Sequence, residues 1–479
     1  MQRLARWPLA AALLLLLTSC TFADGTPVSE ADRRAGAEQH PLILAELGGA
    51  YSGDEAEYLE RVGRKMAAGA GLEDQCTFTL VNSDVVNAFA VPGCYIYLTR
   101  GLMGLMNSED ELASVLAHEV GHIAGEHIEE QQRRMALRSL GVAAIASLTG
   151  SERLTRLAGA AAAYFTLRYS RKHEYQADAL GLLYLQRAGY DLYAARDMLA
   201  ALERHSRLAN ASGDRDPARS IPEWALTHPY TENRILRATA AAGATGVGPD
   251  AVPEIEASFL RQLDGLLYGD DPAQGFVLGR GFAHPVMRIA FVAPPGFTLT
   301  NSPQSILLNG PDGLRGEFGG GSLPRGGLPA YAQAILSAVV GTAPVQEATA
   351  RDLRVNGIPA HVRQVAIATE QGSVVLSLAA YAAAGGEAYH FLMVSSPQRE
   401  PQSAISKLFG SFRMLTPAEA ATLRPRAIEV VSAGPNDTLR SLAARMATER
   451  PLERLLALNA RNSAEPLRPG ELIKLVVWR

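Results

Sequence analysis

A multidomain α+β architecture is predicted for this chain by three observations. Residues 30–245 carry apolar positions at helical spacing with only short runs of strand character. Residues 275–415 alternate apolar and polar side chains between Gly and Pro punctuation, and the composition changes at Gly243 to Pro253, which reads as a linker. A further small unit is expected at residues 427–479, where a helical stretch opened by Asp437-Thr438-Leu439 and another closed by Leu458-Asn459 precede a terminal strand Leu472 to Val477. With 479 residues, 47% of them hydrophobic, there is material for several cores. The formal charge of −4 carries no basic excess, so nucleic acid is not an expected partner.

Location is read from residues 1–20. Arg3 and Arg6 precede the apolar run Leu9 to Leu17, which is too short to span a bilayer permanently. Leu17-Thr18-Ser19-Cys20 resembles a bacterial lipobox, so residues 1–20 read as a lipoprotein signal peptide, with cleavage before Cys20 and lipidation of its thiol. Thr21 stands where Asp is associated with inner-membrane retention, and the expected site is therefore the periplasmic face of the outer membrane, with the lipid as membrane contact. The alternative is an ordinary secretory signal with Cys20 merely near the cut. In an oxidising compartment Cys76 and Cys94, at the starts of the expected strands Thr77 to Val81 and Tyr95 to Leu98, are favoured to bridge. Two buried, inert thiols are the alternative.

Within residues 30–245, His118-Glu119-Val120-Gly121-His122 carries the chemistry. Ser108 before Glu111 is a capping-box signature, and Leu112, Val115, Leu116 and Val120 trace the buried stripe of a helix beginning near Glu109. Residues i and i+4 share a helical face, so His118 and His122 can reach one zinc ion while Glu119 serves as general base. Some fifty residues on, Glu174 and Asp178 repeat the i, i+4 spacing. Glu174 would complete a two-His, one-carboxylate site, and Asp178 would accept the outer ring N–H of a ligand His, with His118 favoured. A metzincin site would need His at position 128, which is Ile; His127 is one residue off, rotated by roughly 100° on a helix. His127 is expected to be solvated or to sit behind a ligand.

Asn87-Ala88-Phe89-Ala90-Val91-Pro92-Gly93, then Tyr95 to Leu102, then Glu111 to Ala117 ahead of the metal helix, are similar to the HtpX and CAAX-prenyl-protease family of metallopeptidases. The similarity continues through Ser170 to Glu174, Ala177-Asp178 and Thr227 to Arg234, and covers about residues 40 to 240. It implies a mainly helical, gluzincin-type zinc endopeptidase domain with a small β-sheet, ligated by His118, His122 and Glu174 with Glu119 as base. Cys94 departs from the family, which usually has a second Gly there.

The run Asn87, Ala88, Phe89 is expected to be an edge strand on which a substrate adds through main-chain hydrogen bonds. Phe89 and Val91 filling the core is an equal reading for their side chains. His228 matches a recurring family segment and either acts near the metal, at the oxyanion or on a closed site, or is a satisfied turn histidine. Arg234 either braces Glu174 and Asp178 or lies on a helix surface. Leu137 to Leu148 and Leu157 to Thr166 read as an apolar helical hairpin, each arm too short for a bilayer, covering a core or cleft or else touching a membrane.

For residues 275–415 an α+β sandwich of unknown role is expected, loosely similar to PsbP-like domains, with His284, His361 and His390 structural or exposed. The order of residues 427–479 is similar to a LysM module, which implies a βααβ unit, with Asn436 where the usual turn has Gly. Peptidoglycan contact or a packing role follows from that likeness. The expected function is zinc-dependent cleavage of unfolded or misassembled envelope proteins, in quality control or processing. Rival readings are a peptidoglycan-attached scaffold or holdase with little proteolysis, and a purely structural zinc site.

Overall fold

The computed structural model describes residues 25–131, 169–211, 228, 232–246, 257–341, 345–369, 372–396 and 402–479. The signal segment with Cys20, the apolar stretches 137–148 and 157–166, and the linker past residue 246 lie outside the described residues. Among the described residues no helix is long and apolar enough to cross a membrane. Helices and several separate sheets together make a mixed, multidomain α+β fold.

The first unit contains α1 (Glu30–Glu46), α2 (Asp54–Gly69), β1 (Thr77–Val81), β2 (Ala88–Val91), β3 (Tyr95–Thr99), α3 (Arg100–Met103), α4 (Glu109–Ala124), α5 (Arg171–Ala188), α6 (Ala194–Ala211) and α7 (Glu232–Gly243). The sheet order is β1-β3-β2, parallel then antiparallel, which leaves β2 at an edge beside α4. Phe89 and Val91 pack with Ile43, Leu47, Val81 and Tyr97 under α1, while Ala88 and Ala90 face the main core, as strand alternation requires. Cys76 and Cys94 are joined by a disulfide. Cys94 has φ 59°, directly after Gly93 at φ 83°, so the position demands a left-handed backbone. A glycine there would meet that demand without strain, whereas an L side chain costs ~1–2 kcal/mol.

Helix α4 begins as the capping signature predicts at Ser108, whose Oγ accepts from Glu111 N at 3.1 Å. The reciprocal half differs, because the Glu111 carboxylate accepts from Asn107 N at 2.6 Å, one residue earlier. Helices α4 and α5 cross at close range. A Cβ on Gly121 would lie 2.8 Å from the Ala177 carbonyl oxygen, and one on Gly181 3.2 Å from His118 N. Only glycines allow this approach, and it sets the His118 and His122 face against Glu174 and Asp178.

Beyond α8 (Ala257–Gln262) and β4 (Leu267–Tyr268) come β5 (Phe276–Leu278), β6 (Gly281–His284), β7 (Ile289–Val292), β8 (Thr298–Asn301), β9 (Ile306–Asn309), β10 (Arg315–Ser322) and α9 (Gly327–Val340). They are followed by β11 (Val345–Val355), β12 (Ile358–Thr369), β13 (Gly372–Ala382), β14 (Glu387–Ser395), α10 (Gln402–Gly410), β15 (Arg413–Met414) and α11 (Pro417–Thr422). Seven strands order as β11-β12-β13-β14-β10-β9-β8, and four as β15-β7-β6-β5. Along β14, Tyr389, Phe391 and Met393 enter an aromatic core with Phe282 and Phe291 of the smaller sheet, while Ala388 and Leu392 meet Leu336 and Val339 of α9. The larger sheet is thus covered on both faces. His284 meets the Ala273 carbonyl, His361 Asp352 and His390 Tyr331, so the three do not converge.

The chain closes with β16 (Arg426–Ser432), α12 (Leu439–Ala443), α13 (Pro451–Leu458) and β17 (Leu472–Trp478). β17 pairs antiparallel with β16, and β16 also pairs with β4. The small sheet therefore draws a strand from before the sandwich, which is inserted between β4 and β16. Ile473 and Leu475 alternate with Lys474 and Val476, and all four are buried, so both faces of β17 are covered. The Lys474 ammonium donates to the carbonyls of Gly104 at 3.1 Å and Met106 at 2.5 Å, in the turn that leads into α4. Ile428 packs on Gly104 from the same face, and Arg100 after β3 donates to Leu267 O at 3.0 Å and to Gly269 O at 2.5 Å. The terminal unit and the first unit share one continuous apolar core.

Candidate metal centre

His118 and His122 of α4, Glu174 in the first turn of α5 and His228 converge, with one donor atom from each lying within 4.8 Å of all the others. His118 Nε2 is 3.1 Å from His122 Nε2 and 3.2 Å from His228 Nδ1. Glu174 Oε1 is 3.1 Å from His228 Nδ1 and 3.6 Å from His122 Nε2, and Glu174 Oε2 is 3.7 Å from His118 Nε2. Ligands about 2.0–2.1 Å from a tetrahedral ion stand roughly 3.3 Å apart, so the donor spacing and the imidazole–carboxylate chemistry fit one zinc. Glu119 is fully buried beside the cluster, its Oε1 3.6 Å from His228 Nε2.

Asp178 and Arg234 support this set from behind. Asp178 Oδ1 lies 3.0 Å from His118 Nδ1. The Arg234 guanidinium grips Asp178 with Nε at 2.8 Å and NH2 at 2.7 Å, and turns NH1 to Glu174 Oε2 at 2.8 Å. Arg234 is only 2% exposed, which removes the surface alternative. Burial pushes Glu174 up to about 7, against the pull of Arg234 and His118. Burial opposes ionisation of Asp178 as well, yet Arg234 and His118 hold its carboxyl well below the usual range.

Burial holds His118 below, and His122 and His228 well below, the ordinary imidazole value of 6.5; Arg234 adds to this, as do neighbouring imidazoles for His122. Folded, they stay neutral where the unfolded chain would protonate them. Below about pH 6.5 each of the three imidazoles binds more protons in the unfolded state, so metal-free stability falls by up to ~1.4 kcal/mol per pH unit for each, while Glu174, raised to about 7, holds a proton in the fold and offsets about one of the three. The thermal midpoint of the metal-free chain is expected to be lower at about pH 5.5 than at about pH 7.5. An equal or higher midpoint would show that these imidazoles accept protons in the fold or that Glu174 outweighs them.

Two neighbours complete the surroundings. Tyr169, which the sequence pattern did not single out, stacks on His122 with ring centroids 3.9 Å apart; its place just before the Ser170 cap of α5 was its only signal. His127 is 1% exposed, not solvated, and its Nδ1 lies 3.0 Å from His122 Nδ1. At the rim of β2, Asn87 donates its N–H to Thr99 Oγ1 and accepts from Thr99 N. The Asn87 side-chain amide is buried without a hydrogen-bond partner among the described residues.

Residues 54–242 match the sequence model of peptidase family M48. Over 205 residues the chain is 33% identical to the beta-barrel assembly-enhancing protease of Yersinia pestis, covering 41% of this chain and 40% of that protein. It is 30% identical over 199 residues to the beta-barrel assembly-enhancing protease of Escherichia coli (strain K12), 38% of each. With mitochondrial metalloendopeptidase OMA1 of Schizosaccharomyces pombe it shares 30% identity over 188 residues, 38% of this chain and 51% of that protein. The chain thus spans about two fifths of the bacterial relatives it matches. A solved cyanobacterial PsbP of Synechocystis matches with a TM-score of 0.24 and 11% identity over 29% of this chain and 98% of that one, a level that assigns neither fold nor role.

Proposed function

With residues 54–242 matching the peptidase family M48 model, we propose that this chain is a zinc-dependent endopeptidase acting on envelope proteins. The observation that carries the reading is the convergence of His118, His122 and Glu174 on one point with the Glu119 carboxylate beside it. A bound zinc supplies Lewis acidity, polarising a peptide carbonyl and acidifying water. Glu119 takes the proton from the attacking water and passes it to the leaving amine. Asp178 fixes the His118 tautomer through Nδ1, and Arg234 keeps Asp178 ionised and holds both carboxylates in place. His228 brings a fourth donor atom, so with all four on one ion the site would be closed, and His228 would have to withdraw to admit substrate. The edge strand β2, with Asn87, Ala88 and Phe89, receives the substrate main chain, and the Asn87 amide supplies a polar contact to it. Phe89 takes part through its backbone, since its ring stacks on Tyr97 in the core.

The substrate class is taken from the bacterial relatives, named for enhancing β-barrel assembly. Unfolded or misassembled outer-membrane proteins are the proposed targets. Location follows from the lipobox, with Cys20 as the lipid anchor on the periplasmic face of the outer membrane. The LysM-like terminal unit keeps the exposed turns Pro435–Asn436 and Asn462–Ala464 available for peptidoglycan, while one face of its sheet is spent on docking.

The test is cleavage of an unfolded protein by the purified chain before chelation, after it, and after zinc is returned. Loss and recovery of cleavage with zinc supports the peptidase. A zinc-loaded chain that binds the unfolded protein and leaves it intact would favour the scaffold or holdase instead.

A further inference from the structure

His118 and His122 both turn Nε2 toward the donor cluster, which leaves their protons on Nδ1 and requires an acceptor for each. For His118 the acceptor is the Asp178 carboxylate. For His122 the atom at hand is Nδ1 of His127, at 3.0 Å. We propose that His127 is a positioning residue for the metal centre, accepting the Nδ1 proton of His122 and so fixing the tautomer and ring orientation of that ligand. The proposal rests on the reading of His118, His122 and Glu174 as zinc ligands.

Local backbone geometry brings His127 to this place. Helix α4 ends at Ala124, Gly125 is its C-cap, and Glu126 has φ 54°. A left-handed, non-glycine residue is strained and persists where the surroundings demand it. Here it folds the chain back, so that position i+5, which would point away on a continuous helix, returns to the ligand. Gly125 makes room for this turn. A Cβ there would lie 2.6 Å from His127 Nε2 and 2.9 Å from its Cε1.

The acceptor ring is itself held. His127 stacks on His173 with centroids 4.5 Å apart and planes 10° from parallel, and His173 Nε2 is 2.9 Å from Glu130 Oε2. On the far side Tyr169 stacks on His122. The ligand is thus fixed in plane by a hydrogen bond and out of plane by a ring. A histidine that merely fills space beside the site would not require the strained turn, the cleared glycine and the aligned nitrogen together.

Zinc affinity of the full chain, by chelator competition, tests the proposal alongside the melting temperature of the metal-free protein. His127→Phe keeps a ring on His173 and removes the acceptor, whereas His127→Asn puts a carbonyl oxygen where Nδ1 stood. Gly125→Ala displaces the ring without altering it, at a backbone φ of −84° that Ala adopts freely. Expected are a 10- to 100-fold weaker zinc affinity, as is typical for loss of an outer partner, in His127→Phe and Gly125→Ala, near-normal affinity in His127→Asn, and little change in metal-free melting. Zinc affinity within about twofold of wild type in His127→Phe, or His127→Asn no better than His127→Phe, would overturn it. Should His127→Phe not fold, Gly125→Ala decides on the same thresholds. A wild-type chain that binds no zinc would sink the metal reading itself, whereas a zinc-binding chain indifferent to these changes would sink only the role of His127.

Discussion

Glu119→Gln is expected to lower kcat/KM for peptide cleavage about 10³-fold while the zinc content stays at that of the wild type. Glutamine matches the shape of the side chain but has no carboxylate to take a proton from water. Loss of a general base of this kind removes a factor of about 10² to 10⁴. Zinc should remain because Glu119 is not among the converging donors, which are His118, His122, Glu174 and His228. Measuring kcat/KM and zinc content on the same preparation separates the two roles. Loss of zinc would make Glu119 a ligand, and cleavage at the wild-type rate would remove it from the reaction.

Lys474→Met is expected to destabilise the chain by ~3 kcal/mol, although position 474 lies far along the sequence from the metal centre. Methionine fills much of the same volume but leaves the buried carbonyls of Gly104 and Met106 without their donor. It also leaves Glu111 without the nearby positive charge; burial pushes Glu111 up and Lys474 down, the mutual attraction opposing both. The measurement is denaturant unfolding of wild type, Lys474→Met, Glu111→Gln and the double variant. The double variant should lose clearly less than the sum of the singles, since each single change strands the other group. Additive losses would mean that the two charges do not sense one another. Because Glu111 lies in the first turn of α4, the same change is expected to loosen the start of that helix.

How far the site could be read in the sequence depended on how far each contact stays within regular helix. His118, Glu119 and His122 on one helix, and Glu174 and Asp178 on another, were legible because a period of 3.6 residues turns spacing into a shared face. Where regular backbone stopped, so did the reading. His127 fails the helical rule by one residue and reaches its partner only through the left-handed turn at Glu126. Tyr169 stacks on His122 from a position with no periodic signal. Arg234 could be named but not judged, because a helix surface and a buried carboxylate clamp look alike until packing decides.

The same division holds for the architecture. By itself the sequence determined the kinds of element, the alternating strands of the sandwich, the capped metal helix and the donor types suited to zinc, since these rest on local propensity and side-chain chemistry. Only the tertiary structure decided that β4 pairs with β16 across the inserted sandwich, that Lys474 is buried in the turn leading into α4, and that His228 meets the donors of α4 and α5. Such contacts join residues tens to hundreds of positions apart. Their partners are selected by shape, desolvation and charge balance in the assembled core, and no periodicity along the chain encodes them.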